Sequence, residues 1–174
     1  EDMHDKDLEA LEKGFVNIVR HIENCCQQFG LNIVVAINHV QTDTDDEVKF
    51  VQDKVEGLGF KAILCSHWGH GSKGAELLAQ EVMNLVEKPN QFKFLYDTKD
   101  SIASKISIIA QIIYRAKDVV FEDDALIQLK KIEDEYAHFP VCIAKTPYSF
   151  SGDPKGIGAV SNHSLNIREI RLVR

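Results

Sequence analysis

The residues best suited to bind a ligand lie in polar segments that directly follow apolar runs. Asn38 ends the β-branched run 31–37, and Asp43 follows five positions later. Ligands bind at strand ends of this kind in open α/β sheets, so the amide and the carboxylate there are candidate ligand-binding groups. The same segment also has the signature of a helix start, since Thr44 and Glu47 have capping-box spacing. Both interpretations stand.

A second polar segment combines glycines with the single Trp of the chain. Gly71, Ser72, Lys73 and Gly74 precede an apolar helical pattern, and backbone N–H groups at a helix start attract anions. A Walker A loop needs Ser or Thr after its Lys, which Gly74 does not supply, so the segment is either a helix entry or a ligand loop of another kind. Trp68 is either a packing residue or a plate on which a flat ring stacks.

A third polar segment follows the apolar run 140–144 and contains Lys145, Thr146 and Tyr148. A ligand site and a purely structural loop are equally supported there. No ordered set of Ser, His and Asp and no pair of carboxylates identifies a catalytic group. The catalytic residues therefore stay unknown at this point.

Metal and disulfide chemistry are not expected. His67 and His70 have ligand-like spacing, but no thiols or carboxylates stand at matching positions nearby, so no zinc site is predicted. None of the cysteines forms a Cys-x-x-Cys pair. They are expected to be small buried side chains in a reducing cytosol, and they are Cys25, Cys26, Cys65 and Cys142.

Composition restricts the class of protein. The 174 residues are 44% hydrophobic, enough to bury a core, and the length suits one domain or slightly more. A formal net charge of -7 argues against a nucleic-acid partner. No run reaches the roughly 18 consecutive apolar residues of a membrane span.

The first half of the chain has the order of an open, mainly parallel α/β sheet. We predict helix 5–29, strand 31–37, a helix from Thr44 to about Gly57, strand 60–65 and helix 75–87. The strand 31–37 lacks alternation, which predicts burial on both faces. The helices are predicted to turn these residues inward: Val48, Val51, Val55 and Leu58, then Leu77, Leu78, Val82, Leu85 and Val86.

The second half, beyond the turn-rich break 88–91, has an α+β pattern. We predict helix 101–116, an extended piece at 119–121, a helix capped by Asp123 and Asp124, a buried strand 140–144 and a final strand 165–173. Strands normally need neighbours on their edges. The chain is therefore expected to be part of a larger domain.

Collinear blocks along nearly the whole chain resemble formate–tetrahydrofolate ligase, also called formyltetrahydrofolate synthetase. Each block is short, but their order makes the resemblance specific. The blocks are 11–24, 34–38 with 42–44, 67–68, 71–74, 94–97, 140–146, 148–151 and 153–154.

The resemblance implies an enzyme of one-carbon metabolism. Such ligases join formate to tetrahydrofolate with ATP and Mg, through formyl phosphate, and produce 10-formyltetrahydrofolate. They have a P-loop nucleotide hydrolase fold, are activated by monovalent cations, form homotetramers and are cytoplasmic or mitochondrial. By resemblance, 1–88 is the second half of the nucleotide-binding domain, and 89–174 is a helical and strand segment that stops before the family's C-terminus. The P-loop and the catalytic residues are expected before Glu1.

The resemblance also assigns roles to individual residues. Trp68 is expected to stack on the folate, opposite Val40, where the family has Phe. The nucleotide or ligand loop comprises Asn38, Asp43, Gly71, Ser72, Lys73 and Gly74, with Ser72 where Gly is usual. Because no Walker A pattern is present, a non-catalytic folate-binding or interaction module derived from the ligase is the alternative.

Overall fold

The computed structural model describes residues 7–144 and 148–173. The chain divides into two compact units, Glu1–Phe92 and Lys93–Arg174, called here the first and second unit. Across the described ranges, no helix is both long and apolar enough to cross a bilayer. Helices and short parallel sheets confirm the α/β class.

The first unit alternates helices with two strands, as its sequence pattern predicts. A π-helical turn, Asn24–Gln28, extends the first helix, and Gly30 ends it at φ +68°. A Cβ at Gly30 would collide with the carbonyl group of Gln91, so this position requires glycine. The elements are α1 Leu8–Glu23, β1 Val35–Asn38, α2 Asp45–Gly57, β2 Ala62–Cys65, α3 His67–His70, a 3-10 turn Gly71–Ala75 and α4 Glu76–Val86.

The start of α2 confirms the capping box. The Thr44 hydroxyl accepts from the backbone N–H of Glu47 at 3.4 Å, and the Glu47 carboxylate accepts from the N–H of Thr44 at 2.9 Å. The helix buries Val48 and Val55. Leu58, predicted to face inward, is exposed because it follows the last helical residue.

The strands β1 and β2 pair in parallel, from Val35 beside Ala62 to Asn38 beside Cys65. On one face of this sheet, face A, α1 and α2 form a core with Val35, Ile37 and Ala62. Side chains alternate along a strand, so Lys61 points to the opposite face, face B. There α4 packs, with Glu81 bonded to Lys61 at 2.6 Å. The helices that follow β1 and β2 therefore lie on opposite faces.

Burial on both faces of β1, expected from its sequence, is wrong for this chain. Ala36, which faces B, is exposed, and the strand alternates between half-buried and exposed residues. Leu77, Val82 and Val86 of α4 were predicted to face inward but are exposed too. The physical reason is that β1 pairs with β2 alone within the described residues, and face B beside α4 has no cover there.

The ion pair on face B makes stability depend on pH. The hydrogen bond from Lys61 holds the pKa of the Glu81 carboxyl below its ordinary 4.5, although desolvation opposes the shift. A lowered folded-state pKa stabilises the fold above the ordinary value, and this contribution is lost as the pH falls through the lowered pKa. The melting-temperature gap between wild type and Glu81→Gln should therefore be wide near about pH 7 and narrower near about pH 3.

Thermal unfolding at both pH values measures the effect of Glu81. Glu76→Gln is the matched control because Glu76 lies in the same helix and is exposed. The control gap should be small and should change less between the two pH values, because the exposed Glu76 interacts with the helix dipole alone. A gap for Glu81→Gln that widens in acid would contradict the assigned role.

The second unit has its own core and a second parallel pair. The buried residues Ile102, Ile106 and Leu129 pack the two helices of this unit against each other. Its two strands, 118–121 and 164–167, pair in parallel with Val119 beside Leu165. Asp123 and Asp124 lie in the first turn of the last helix, where Glu122 is the cap position. The elements are α5 Ile102–Ile112, β3 Asp118–Phe121, α6 Asp123–Tyr136 and β4 Ser164–Ile167.

Two strand predictions in this unit need correction. Residues 140–144 form no strand, and Pro140 is exposed. Their backbone is held by a side chain, because the Tyr96 hydroxyl accepts from the N–H of Val141 at 2.8 Å and donates to its carbonyl at 3.1 Å. The final strand ends at Ile167, so 168–173 continue without strand pairing.

Candidate functional site

Two candidate loops leave the carboxyl ends of neighbouring strands. The loop after β1 leads to α2 on face A, and the loop after β2 leads to α4 on face B. Adjacent parallel strands whose connections diverge to opposite faces leave a crevice between the loops. Such a switch point is where open α/β sheets bind ligands.

The loop after β1 is a tight turn that presents Val40. The N–H of His39 donates to the carbonyl of Cys65 at 3.1 Å, which ties the start of the loop to β2. Asp43 Oδ2 accepts from the N–H of Val40 at 2.8 Å, and the Asp43 N–H donates to the Val40 carbonyl at 2.9 Å. Asn38 and Val40 are exposed. Asp43 thus shapes the turn, a role that its spacing from Asn38 does not reveal.

Trp68 lies in the loop after β2, within the short helix α3, and 83% of its surface is exposed. An indole so little used for packing is available to a ligand. A large exposed aromatic side chain is typical of a stacking residue. Within the described residues Trp68 packs little, and its role toward a ligand stays a prediction.

Two positions near Trp68, Gly71 and Gly74, require glycine because of the backbone conformation and its close contacts. Gly71 adopts φ +59° and ψ -147°, a region essentially restricted to glycine. The N–H of Ser66 donates to the carbonyl of Gly74 at 3.0 Å, and a Cβ at Gly74 would lie 2.6 Å from the Ser66 oxygen. These contacts close the loop on itself. Ser72 and Lys73 lie on its exposed side, and the segment enters α4 through the 3-10 turn.

The third candidate loop belongs to the second unit. Lys145 and Thr146 lie outside the described residues. Tyr148 begins a tight turn in which its N–H donates to the Ser151 carbonyl at 3.1 Å. Phe150 anchors this turn, since it is buried and contacts the ring edge of Tyr114 at a centroid distance of 6.1 Å. Tyr148 itself is half exposed.

The predicted absence of metal chemistry stays a prediction. Over residues 7–144 and 148–173, no group of three or more His, Cys, Asp or Glu side chains is arranged to hold an ion. Cys65 is buried as expected, but Cys142 is exposed, because the segment 140–144 is not the buried strand that was predicted. Burial raises the pKa of the Cys26 thiol, and the adjacent Cys25 adds to the shift.

One polar group that the sequence reading missed is Lys105, which is fully buried. Its Nζ donates to the carbonyl oxygens of Thr98 at 2.7 Å and Phe139 at 3.1 Å, and also to that of Ala137. It lies 5.8 Å from the centre of the Tyr96 ring. The position of Lys105 on the apolar face of α5, between Ile102 and Ile109, is the signal that could have found it.

Comparison with known proteins identifies the family of this site. The model of the family "Formate--tetrahydrofolate ligase" matches residues 1–174. The chain belongs to the formate–tetrahydrofolate ligase family. The ligase of Pelagibacter ubique is 48% identical over 174 residues, that of Methylococcus capsulatus 43% over 173, and that of Symbiobacterium thermophilum 45% over 172.

The match covers the chain but only part of each relative. It spans 98–99% of this chain and 31% of each of the three ligases. The chain therefore spans about a third of the length of the curated relatives. This confirms the resemblance to a part of the ligase. The roles of Trp68, Val40 and the nucleotide loop stay predictions.

Proposed function

We propose that this chain forms the folate-side and nucleotide-side walls of a formate–tetrahydrofolate ligase. The reaction joins formate to tetrahydrofolate with ATP and Mg, through formyl phosphate, and yields 10-formyltetrahydrofolate. The observation that supports this role is that Val40 and Trp68, in the loops that follow two adjacent parallel strands, are both exposed. An exposed indole and an exposed aliphatic side chain interact more favourably with a flat heterocycle than with water.

The polar groups around this crevice suit the nucleotide. Asn38 offers an amide donor and acceptor at the end of β1, the pattern that reads a base edge by hydrogen bonds. Lys73 offers a cation to phosphate from the exposed side of its loop. Asp43 would reach a base with the oxygen that the turn does not use. Lys145, Thr146 and Tyr148, which belong to the second unit, stay candidate ligand residues to which no particular ligand is assigned.

Other parts of the ligase would supply the phosphate chemistry. No segment of the sequence has the Walker A pattern, so the phosphate loop and the catalytic groups would come from the polypeptide outside this third. On this proposal residues 1–88 complete a P-loop nucleotide hydrolase-like sheet, and 89–174 belong to the same ligase. The whole enzyme would be a cytoplasmic or mitochondrial homotetramer activated by monovalent cations, with small-molecule substrates and no nucleic-acid partner.

A chimeric enzyme tests the proposed function. This chain replaces the matching third of the Pelagibacter ubique ligase, and formation of 10-formyltetrahydrofolate from formate, tetrahydrofolate and ATP is measured. We expect turnover in the chimera and no formate-dependent ADP from the 174-residue chain alone. A folded chimera that binds tetrahydrofolate without turnover would favour the non-catalytic module, and a folded chimera that binds neither substrate would refute both.

A further inference from the structure

The apolar surface of α4 is wider than its contacts with the sheet require. Successive residues are about 100° apart around a helix, so Leu78 and Leu85 share the side that faces β2 and are half-buried. The apolar arc continues past this side through Val82, Val86 and Met83, which are 43%, 69% and 62% exposed. From Leu85 to Met83 it spans about 160°, compared with the roughly 100° stripe of an ordinary surface helix.

This exposed side of α4 borders a groove on face B. The groove is lined by Leu31 and Val34, which precede β1, and by Val82, Leu85 and Val86 of α4. Exposed Ala36 continues the same face along β1. Asn32 and Asn90 also line the groove, and its apolar residues form surface of the kind that marks a binding site.

The outer edge of β1 lies beside this groove. Val35 and His39 donate their N–H groups to carbonyls on the β2 side, so the backbone groups of Ala36 and Asn38 point to the outer edge by alternation. Within the described residues β1 pairs only with β2. Parallel sheets are almost always covered on both faces and seldom consist of two strands.

The connections of the unit indicate which strand belongs at this edge. The crossover from β1 to β2 passes through α2 on face A, and α1 packs on the same face just before β1. Parallel crossovers are right-handed, so helices on one face move the chain across the sheet in one direction. A strand connected to β1 through α1 therefore lies on the side of β1 opposite β2.

We propose that face B and the outer edge of β1 bind the part of the ligase that precedes α1 in sequence. That part contributes a strand parallel to β1 and an apolar helix that packs against Ala36, Val82 and Val86. The curated relatives have the length to supply it, since the matched region is 31% of each. This partner rests on the proposed function, because it belongs to the same ligase.

Hydrogen exchange tests the strand pairing. The amides of Ala36 and Asn38 should exchange rapidly in the 174-residue chain and about 100-fold more slowly in the chimera, because a paired edge must open before exchange. The amide of Val35, already bonded to Lys61, is the internal reference. Unchanged exchange at Ala36 and Asn38 in an active chimera would overturn the pairing and leave the proposed function intact. Strong protection of these two amides in an inactive chimera would support the strand pairing and contradict the proposed function.

A pair of variants tests the helix surface. Val86→Glu places a charge in the apolar arc, whereas Gln80→Glu places the same charge on the polar side of α4. In the 174-residue chain both should melt like wild type, because both positions are exposed. In the chimera only Val86→Glu should lower the melting temperature and slow or abolish turnover. Equal melting of the two chimeras, or a dimer of the 174-residue chain that Val86→Glu dissociates, would overturn the proposal.

Discussion

Replacing Lys105 by methionine is expected to destabilise the second unit by about 3–5 kcal/mol, because three hydrogen bonds from a charged donor, each worth about 1.5–3 kcal/mol, are lost while the cost of burying the charge is removed. The ammonium satisfies the carbonyls of Thr98, Ala137 and Phe139 without any exposure to water. Methionine fills a similar volume but donates no hydrogen bond. The three carbonyls would lose this charged donor, and that loss accounts for most of the effect.

Thermal and urea unfolding measure the effect of Lys105→Met. A unit of this size should lose about 12 °C or more in melting temperature, since 1 kcal/mol corresponds to about 4–8 °C. Lys130→Met is the matched control, because Lys130 of α6 is exposed, and such changes usually stay within about 0.5 kcal/mol. If both variants melted alike, the carbonyl contacts of Lys105 would have no stabilising role.

Replacing Trp68 by alanine is expected to weaken tetrahydrofolate binding by the chimera about 30-fold or more. Central aromatic residues of a binding site commonly contribute at least about 2 kcal/mol, and 1.4 kcal/mol is a factor of ten. The side chain is 83% exposed, so its loss should leave the melting temperature unchanged. Fluorescence quenching of the wild-type chimera and the KM for tetrahydrofolate provide the two measurements.

Replacing Val40 by phenylalanine should act in the opposite direction. A second aromatic plate adds about 0.5–1.5 kcal/mol, which tightens binding by about 2- to 12-fold. Trp68→Ala in the same chain should abolish this gain. Leu58→Ala, an exposed apolar position at the far end of α2, is the control that should leave KM unchanged. Equal affinity in wild type, Val40→Phe, Trp68→Ala and the double variant would exclude stacking between these two loops.

Much of the local fold could be predicted because its causes are local. The capping box at Thr44 and the end of the first helix before Gly30, the end predicted for helix 5–29, depend on a few neighbouring residues, and the structure confirms both. The strand 31–37 was predicted too long and too deeply buried. Its β-branched composition shows that the strand could be buried on both faces. Whether a face is actually buried depends on which other elements pack against it. The same reason explains the exposed side of α4.

The candidate site was predictable in its residues but not in its geometry. Strand-end position and residue type identified Asn38, Asp43 and Trp68, and the resemblance to the ligases added Val40. The turn that Asp43 closes on Val40 and the contact of Gly74 with Ser66 depend on backbone dihedrals. No periodicity or composition reports these dihedrals. The roles of these residues toward substrates stay predictions.

Sequence by itself determined the family of this chain, its α/β class and the short segments that carry the candidate site. These features follow from residue order, apolar periodicity and capping, which act over a few residues. Only the tertiary structure decided that α2 and α4 leave the sheet on opposite faces and that Lys105 is enclosed by three carbonyls. Both depend on contacts between segments distant in sequence, where packing and hydrogen-bond satisfaction select one arrangement among many.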